Sequence, residues 1–359
     1  MSAILPERAW QRTGGTSFKV LMVDDSIVMR SIVERILDTC QDVDLVGKVA
    51  TTADAFAFLN SHQVDIVLLD HEMPSQKGLD ALPDMITAAK GAHVVMLSSH
   101  CKRGSKVAVS ALSMGASDAI EKPVRGEAGA AFGDDLLFRL RRLARSRGSG
   151  KNHLGHSTFR AFPSGFSLSC IGIGASTGGI HTLGELLAGL TEKPGVPILI
   201  TQHLPETFIP YYAQQVGRMT NLPVCVVHAG QLLEADRIYI ASGNSSLSCR
   251  RDGGQVRAVL SPDRDPITNA RPSVNHMFSA IAECFGEGAL GIVLTGIGRD
   301  GTAGARRIVE SGGVVIAQDR ESSVVWGMPG SVTRAGLACA NLRPSDMFAY
   351  LREQCEVRA

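Results

Sequence analysis

Short apolar runs alternate with amphipathic stretches along most of the chain. After residue 17 the apolar runs are FKVLMVDD, LVGKVA, DIVLLD, HVVMLSS and AIEKP, and segments such as SIVMRSIVERILDT separate them. Runs rich in Val, Ile and Leu on both faces are typical of parallel strands that helices cover on both sides. The pattern predicts a doubly wound α/β domain with a five-stranded sheet at residues 18–125, preceded by an N-terminal tail at residues 1–17.

A second series of apolar runs begins after residue 165. It comprises SCIGIGAS, PILITQHL, PVCVVHA, ALGIVLTG and GVVIAQD, and SSLSCRRDGGQVRAVLS forms a hairpin pattern around a Gly-rich turn. This series predicts a mainly parallel α/β domain with an antiparallel hairpin at residues 166–355. Residues 126–165 hold the end of the last helix of the first domain and then Gly, Ser, Arg and His, which predicts a linker.

Composition and charge narrow the class of protein. A chain of 359 residues is long enough for two domains that each bury a core. The 36 basic and 35 acidic side chains give a net charge of +1, which argues against a general nucleic-acid binder. Eight cysteines without a C-x-x-C pair indicate free thiols in a reducing compartment. The sequence carries neither a signal peptide nor a long apolar run, so we expect a cytoplasmic protein that does not insert into the membrane.

Polar residues end four strands of the first domain, and they predict an acidic metal site. They are Asp24 and Asp25, Asp70, Ser98 and Lys122. Because the carboxyl ends of parallel strands meet at one edge of a sheet, these side chains should converge. Clustered carboxylates require a compensating cation, and hard oxygen ligands suit Mg²⁺. Asp70 could then attack a phosphoryl donor, with Lys122 and the metal offsetting charge and the Ser98 hydroxyl binding phosphoryl oxygens.

These residues, in this order and with the segments DHEMPSQKG and EKP, resemble the receiver domain of bacterial response regulators. The resemblance implies that Asp70 accepts a phosphoryl group from a histidine kinase. It also implies a set of Mg²⁺ ligands with Asp24 nearby, namely Asp25, Asp70 and the carbonyl of Glu72. Receivers often have Tyr or Phe where this chain has Ala119, and often an acidic residue where it has Lys77. We therefore expect the phosphorylation chemistry to be retained, and we expect the two departures to affect how the phosphorylation signal is relayed.

The segment GIGASTGG of the second domain places Ser176 between a strand and a helix, beside the amides of a helix N-terminus. His203 follows the next strand, ITQHLP, and Asp300 follows the later strand ALGIVLTG. All three should lie at the carboxyl edge of one sheet, where a Ser-His-Asp relay could assemble. Their order differs from that of α/β-hydrolases, and the loop is not the G-x-S-x-G elbow.

The same glycines also fit a dinucleotide-binding loop. Gly172, Gly174 and Gly178 lie between a strand and a helix, as in a pyrophosphate cradle. A ribose-binding acidic residue would then end the next strand, which ends instead in Gln202 and His203. The spacing alone leaves both possibilities open, and the strand end favours hydrolysis.

GASTGG, QHLP, TGIGRDG and SSVVWGMPG resemble, in order and spacing, the catalytic domain of the chemotaxis protein-glutamate methylesterase family. The resemblance implies Ser176 as nucleophile, His203 as base and Asp300 as orienting acid, with Thr177 and the loop amide near Ile297 assisting the oxyanion. It also implies methyl-ester hydrolysis and glutamine deamidation on chemoreceptor cytoplasmic helices, without a metal at the esterase site. Phosphorylation of the receiver would activate the esterase.

Two positions depart from the pattern of this family. Ile297 stands where Met is usual, and Asn275 stands where Asp is frequent. If they disabled the site, the chain would be a phosphorylation-dependent adaptor that binds receptors without hydrolysing them. The sequence identifies neither the receptor nor the kinase, and it leaves the oligomeric state open.

Overall fold

The computed structural model describes residues 17–74, 76–98, 106–123, 130–148 and 159–356. The first domain is a parallel sheet in the order β2-β1-β3-β4-β5. Its strands are β1 Phe18–Val23, β2 Val43–Val49, β3 Ile66–Asp70, β4 His93–Ser98 and β5 Asp118–Glu121. Its helices are α1 Ile27–Asp38, α2 Thr52–Ser61, α3 Gly78–Ala88, α4 Lys106–Ser113 and α5 Ala130–Gly148. The doubly wound fold predicted for this part is confirmed.

The second domain holds a seven-stranded parallel sheet in the order β14-β13-β12-β6-β7-β9-β8. Its strands are β6 Cys170–Ala175, β7 Ile198–Gln202, β8 Val224–Val226, β9 Ile238–Ile240, β12 Ala289–Val293, β13 Val314–Gln318 and β14 Ala340–Leu342. The predicted hairpin is formed by β10 Ser246–Asp252 and β11 Gln255–Ser261, which pair antiparallel. Its helices are α6 Gly179–Ala188, α7 Ile209–Met219, α8 Val274–Phe285, α9 Thr302–Glu310, α10 Met328–Arg334 and α11 Met347–Glu356. The mainly parallel α/β fold is confirmed.

Glycines in β6 let α8 approach the sheet closely. A Cβ atom added to Gly174 would lie 2.3 Å from the side chain of Val274, the first residue of α8. A Cβ atom added to Gly172 would lie 2.6 Å from Ile281, further along the same helix. No side chain fits between the strand and the helix, so the N-terminus of α8 lies against the edge of the sheet where the strands end.

The predicted linker at residues 126–165 coincides partly with ordered structure. Helix α5 packs on the first domain through buried leucines at positions 136, 140 and 143. After residues that lie outside the description, Phe162 is buried in the second domain, and the Arg160 N–H donates to the carbonyl of Ala338 at 3.0 Å. The predicted N-terminal tail lies outside the described residues except for Ser17.

The two domains are packed against each other. Helix α4 contacts α6 and α7, and the ring of His181 on α6 hydrogen-bonds the carbonyl of Ser113 on α4 at 3.0 Å. Val325 of the second domain is buried in the apolar cluster formed by α1, α5 and the first sheet, and Val324 and Ile297 pack against that cluster. The carboxyl ends of both sheets therefore belong to one compact assembly.

Two further observations concern the cysteines and the helices of the described residues. The described cysteines are free thiols, and Cys101 lies outside the described ranges. Among the described helices none is both long and apolar enough to cross a membrane.

Candidate active site

Ser176, His203 and Asp300 follow neighbouring strands of the second sheet. Ser176 comes after β6, His203 after β7, and Asp300 after β12, and β6 lies between the other two strands. All three residues line one cavity of about 790 Å³. The structure thus brings the three predicted residues to one edge of the sheet.

Backbone contacts hold the loop that carries Ser176. The Ser176 N–H donates to the carbonyl of Thr295 at 3.0 Å, and the Ser176 carbonyl accepts from Gly179 N–H at 2.9 Å and from Gln202 Nε2 at 2.7 Å. Gly178 has a φ of 78°, in the left-handed region that favours glycine, and a Cβ atom there would lie 2.5 Å from Val324. The position of the serine is therefore fixed by the loop and its neighbours on both sides.

The His203 ring is oriented by Asp300. Nε2 donates to Asp300 Oδ2 at 2.8 Å. In a neutral imidazole, a proton on Nε2 leaves the lone pair on Nδ1, so Nδ1 is the basic atom of this histidine. Among the described hydrogen bonds there is none between the Ser176 hydroxyl and the His203 ring, and such contacts in free enzymes often tighten only when substrate binds.

Asp300 sits among donors at the N-terminus of α8. Its Oδ2 accepts from Val274 N–H at 2.7 Å, and its Oδ1 accepts from Asn275 N–H, Gly301 N–H and the Ser273 hydroxyl at 3.0–3.2 Å. Burial works to raise the pKa of Asp300, but the hydrogen bond and charge of His203 and the backbone N–H groups outweigh it. The pKa is lowered, and the carboxylate stays ionised.

Two residues that line the cavity beside the serine, Thr177 and Ile297, have backbone N–H groups with no hydrogen-bond acceptor among the described residues. Gly296 brings the second loop close, because a Cβ atom there would lie 2.8 Å from Ser176 Cβ. These N–H groups are suited to stabilise negative charge on a carbonyl oxygen attacked by Ser176.

Several supporting contacts were not predicted from the sequence. Thr295 donates through its hydroxyl to the carbonyl of Thr177 at 3.0 Å, and its N–H donates to Gln318 Oε1 at 2.6 Å. Trp326 Nε1 in turn donates to the carbonyl of Gln318 at 3.0 Å. Asn275 Oδ1 accepts from Gly304 N–H at 2.9 Å, and its Nδ2 contacts Asp265. These contacts join segments that are distant in sequence, so no local sequence pattern predicts them.

Residues of the first domain form one wall of this cavity. They come from the end of α4, from β5 and from α5, and they are Leu112, Ser117, Asp118, Ala119, Glu121, Asp135, Phe138, Arg139 and Arg142. Ala119, the position where receivers often carry an aromatic residue, lies in this wall. The Arg142 guanidinium lies 4.7 Å from the ring centre of Phe138, and burial lowers the pKa of Arg142. The first domain thus covers part of the cleft that holds Ser176.

The acidic residues of the first domain also converge. Lys122 Nζ lies 2.7 Å from Asp24 Oδ2 and 2.7 Å from Asp70 Oδ2. Burial raises the pKa of Asp70, and the charge of Asp24 adds to this effect, while Lys122 opposes it without cancelling it. Burial lowers the pKa of Lys122, but its hydrogen bonds to the two carboxylates outweigh burial and leave the pKa raised.

The donor set fits a divalent cation. Carboxylate oxygens of Asp24, Asp25 and Asp70 lie within 4.8 Å of one another, and Asp25 is exposed to solvent. Glu72 belongs to the same loop, where its N–H donates to Asp70 Oδ1 at 3.0 Å. Clustered oxygen ligands of this kind suit Mg²⁺. Ser98 ends β4 as predicted, and its side chain lies outside the described atoms.

Comparison with known proteins identifies a family for each of the two domains. The family described as CheB methylesterase matches residues 171–351, and the response regulator receiver domain matches residues 20–130. The chain is 32% identical to protein-glutamate methylesterase/protein-glutamine glutaminase 1 of Rhodospirillum rubrum, over 99% of this chain and 100% of that protein. The chain belongs to the CheB methylesterase family. A protein of the same name from Paramagnetospirillum magneticum is 35% identical over 93% of this chain and 95% of its own length.

A solved structure supports the fold of the second domain. The catalytic domain of CheB methylesterase from Thermotoga maritima is 32% identical, with a TM-score of 0.50, and it covers 53% of this chain and 99% of its own. The family membership also weighs against the dinucleotide-binding alternative. At the strand end where a ribose-binding acid would lie, Gln202 instead supports the nucleophile loop.

Proposed function

We propose that the chain hydrolyses glutamyl methyl esters on the cytoplasmic helices of chemoreceptors and deamidates glutamines there, under control of phosphorylation at Asp70. The observation that carries the hydrolytic part is the His203–Asp300 hydrogen bond of 2.8 Å at the cavity that also exposes Ser176. Relatives named as methylesterase and glutaminase supply the substrate class.

The geometry supports an acyl-transfer mechanism. Ser176 Oγ attacks the ester carbonyl and passes its proton to His203 Nδ1, while ionised Asp300 stabilises the imidazolium through Nε2–H. The N–H groups of Thr177 and Ile297 donate to the oxyanion. The imidazolium then protonates the departing methoxide, and methanol leaves. Water attacks the acyl-serine and gives a proton to Nδ1; the acyl–oxygen bond then breaks, the imidazolium returns the proton to Ser176 Oγ, and a glutamate side chain is left on the receptor. With a glutamine substrate the first leaving group is ammonia.

Replacement of the nucleophile tests this mechanism. We expect Ser176→Ala to abolish methanol release from a methylated receptor fragment and to abolish labelling by a fluorophosphonate, with an unchanged circular dichroism spectrum. A matched control is Ser248→Ala, which removes a serine hydroxyl from β10 of the hairpin and should keep wild-type activity. Methanol release at the wild-type rate by Ser176→Ala would refute the role of this serine.

The adaptor alternative makes a different prediction for the unmodified protein. A chain that only binds receptors would hold the receptor fragment but would neither release methanol nor react with the fluorophosphonate. The supports for catalysis are the orienting contacts of Asp300 and the backbone N–H of Ile297, which donates no hydrogen bond among the described residues and does not depend on the side chain that departs from the family pattern.

Phosphorylation at Asp70 is proposed to act through Lys122 and β5. Lys122 directly follows β5, and Ala119 and Glu121 of β5 line the catalytic cavity. A phosphoryl group on Asp70, donated by a histidine kinase, would compete for Lys122 Nζ and so disturb its contacts with Asp24 and Asp70. Mg²⁺ held by Asp25, Asp70 and the Glu72 carbonyl would offset charge on the phosphoryl oxygens. The β5 and α5 wall would then loosen from the cleft.

A small-molecule phosphodonor tests the regulation. We expect it to raise the rate of methanol release by the full chain at least tenfold in the presence of Mg²⁺, and to leave Asp70→Asn at its basal rate. An equal rate with and without the phosphodonor, under conditions where Asp70 is shown by mass spectrometry to be phosphorylated, would contradict the proposed control.

A further inference from the structure

A second pocket of about 500 Å³ lies beside the catalytic cavity. It is formed by α8, α9 and the loop before α8, and its lining includes His276, Ser279, Arg306 and Arg307. Ile267 lines both this pocket and the catalytic cavity. The two depressions are therefore neighbours that share one side chain as their common edge.

The common edge is apolar and firmly held. Ile267 is 54% exposed, which is high for a large aliphatic residue. Its N–H donates to Asp265 Oδ1 at 2.9 Å, and the other oxygen of Asp265 accepts from the Ser273 hydroxyl at 3.3 Å. The same hydroxyl lies 3.2 Å from Asp300 Oδ1, so its single proton is shared between the two carboxylates. The loop under the second pocket is thus tied to the carboxylate that orients the catalytic histidine.

The second pocket holds two arginines and two carboxylates, Asp265 and Glu310, and one of the arginines makes no ion pair within the described chain. Helix α9 has two arginines and one carboxylate, and Glu310 lies 3.6 Å from Arg307. Arg306 is exposed and makes no ion pair with another residue in the described part of the chain. His276 lies 4.0 Å from Asp265, whose carboxylate is already surrounded by N–H and O–H donors. A guanidinium with free donors beside a serine hydroxyl fits a carboxylate.

The chemistry of the reaction supplies such a carboxylate. Hydrolysis of a glutamyl ester leaves a glutamate on the substrate, so a substrate with several modification sites carries acidic side chains near any remaining ester. On a helix, side chains one or two turns apart are separated by about 5 to 11 Å along the axis. A helix that rests on Ile267 could place one side chain in each depression.

We propose that the pocket beside Ile267 is a substrate subsite, in which Arg306 binds the carboxylate of an acidic side chain on the same face of the receptor helix as the ester. The inference rests on the proposed function. Arg306 is a specificity-determining residue in this scheme, since it binds substrate at a distance from the reacting atoms. It favours receptor segments in which a glutamyl ester neighbours an acidic side chain.

The test uses the full chain and a methylated receptor fragment. Arg306→Gln should raise KM for methanol release about fivefold and change kcat less than twofold, because it removes a charge contact that does not change during the reaction. Arg306→Lys should recover part of the loss. Arg250→Gln, which removes an exposed arginine of the hairpin outside both depressions, should match the wild type. Hydrolysis of a small uncharged ester should be the same in all four proteins.

A second experiment changes the substrate in place of the enzyme. When the acidic side chains around the ester are replaced by glutamine, wild type and Arg306→Gln should have the same KM. A wild-type KM for Arg306→Gln, or a fivefold difference that persists on the neutralised substrate, would overturn the subsite. Failure of the wild-type chain to release methanol would overturn the proposed function as well, so the two failures are distinguishable.

Discussion

The two sites of this protein occupy the same kind of position in their sheets, but their surroundings shift the pKa of the central carboxylate in opposite directions. Each lies where parallel strands end, and each contains a buried carboxylate at its centre, Asp70 in the receiver and Asp300 in the esterase domain. The surroundings of Asp300 lower its pKa, whereas those of Asp70 raise it. Burial acts in the same direction on both, so the difference comes from their neighbours.

The neighbours explain what each site requires. Asp300 accepts hydrogen bonds from backbone N–H groups of α8, and the helix N-terminus favours negative charge. Asp70 shares Lys122 with Asp24, and Asp25 adds a third carboxylate within 4.8 Å. The esterase site therefore has its charge balanced by the protein itself, while the receiver site has a surplus of negative charge that suits a cation.

The contrast between the two sites requires that catalysis depend on the negative charge of Asp300. We expect Asp300→Asn to lower kcat for methanol release at least about a thousandfold, since the amide neither orients the proper His203 tautomer nor stabilises its imidazolium. The new NH₂ group would also face N–H donors, which costs about 1–3 kcal/mol of stability. Steady-state kinetics and urea unfolding measure the two effects. Activity within tenfold of wild type would contradict the assigned role.

The surplus negative charge of the receiver site can be tested by removing one carboxylate. Asp25→Asn should weaken Mg²⁺ binding at least tenfold in titration calorimetry, because it removes one carboxylate ligand from the cluster. Stability without Mg²⁺ should be unchanged or higher, since Asp25 is exposed and its charge repels two neighbours. Asp38→Asn, which alters the exposed end of α1, provides the control. A large loss of stability in the absence of Mg²⁺ would show that the cluster is balanced without a cation.

Residues that end strands could be predicted, because their position follows from the pattern of apolar runs. Asp24, Ser176 and His203 directly follow such runs, Asp70 ends one, and Asp300 lies in the loop after β12; the structure brings each group to its sheet edge. The strands β9 and β14 were not predicted. Each has three residues, with the sequences IYI and ANL, and β8 has the same length but lies within the predicted run PVCVVHA.

Contacts between distant segments could not be predicted in this way. The N–H groups that hold Asp300 come from α8, whose approach to β6 depends on the fit of Gly174 against Val274. The wall that the first domain contributes to the catalytic cavity depends on packing of α4 against α6 and α7. Neither arrangement has a local signature in sequence, and a resemblance to one domain at a time does not report how two domains pack.

The opposite pKa shifts predict opposite effects of pH on stability. A raised pKa at Asp70 means that the folded state binds the proton more tightly, so stability falls as pH rises from the unfolded pKa, about 3.9, through the folded pKa. A lowered pKa at Asp300 gives stability that is present above about pH 3.9 and lost as pH falls through the folded pKa.

Urea unfolding of two variants without Mg²⁺ measures the direction in which each carboxylate changes the free energy of unfolding with pH. Asp70→Asn should gain stability relative to wild type as pH rises from about 4 to 7, because the cost of ionising Asp70 is removed. Asp300→Asn should lose stability relative to wild type at neutral pH and lose less at acid pH. The same sign of change in both variants would contradict the electrostatic contrast between the sites.

The smallest expected effect concerns Ile297, the residue where the two regions meet. Its side chain packs against the α1 and α5 cluster of the receiver, and the residue also lines the catalytic cavity. Ile297→Met, which restores the residue usual in the family, should change kcat less than threefold, because the backbone amide is retained and the exchange of volume is small. Ile297→Ala removes apolar contact between the domains and should raise the rate without a phosphodonor more than Ile297→Met does. A change in kcat of more than tenfold for Ile297→Met in the presence of phosphodonor would show that the side chain shapes the oxyanion site directly. The assignment of catalysis to the backbone N–H and of domain packing to the side chain would then be wrong.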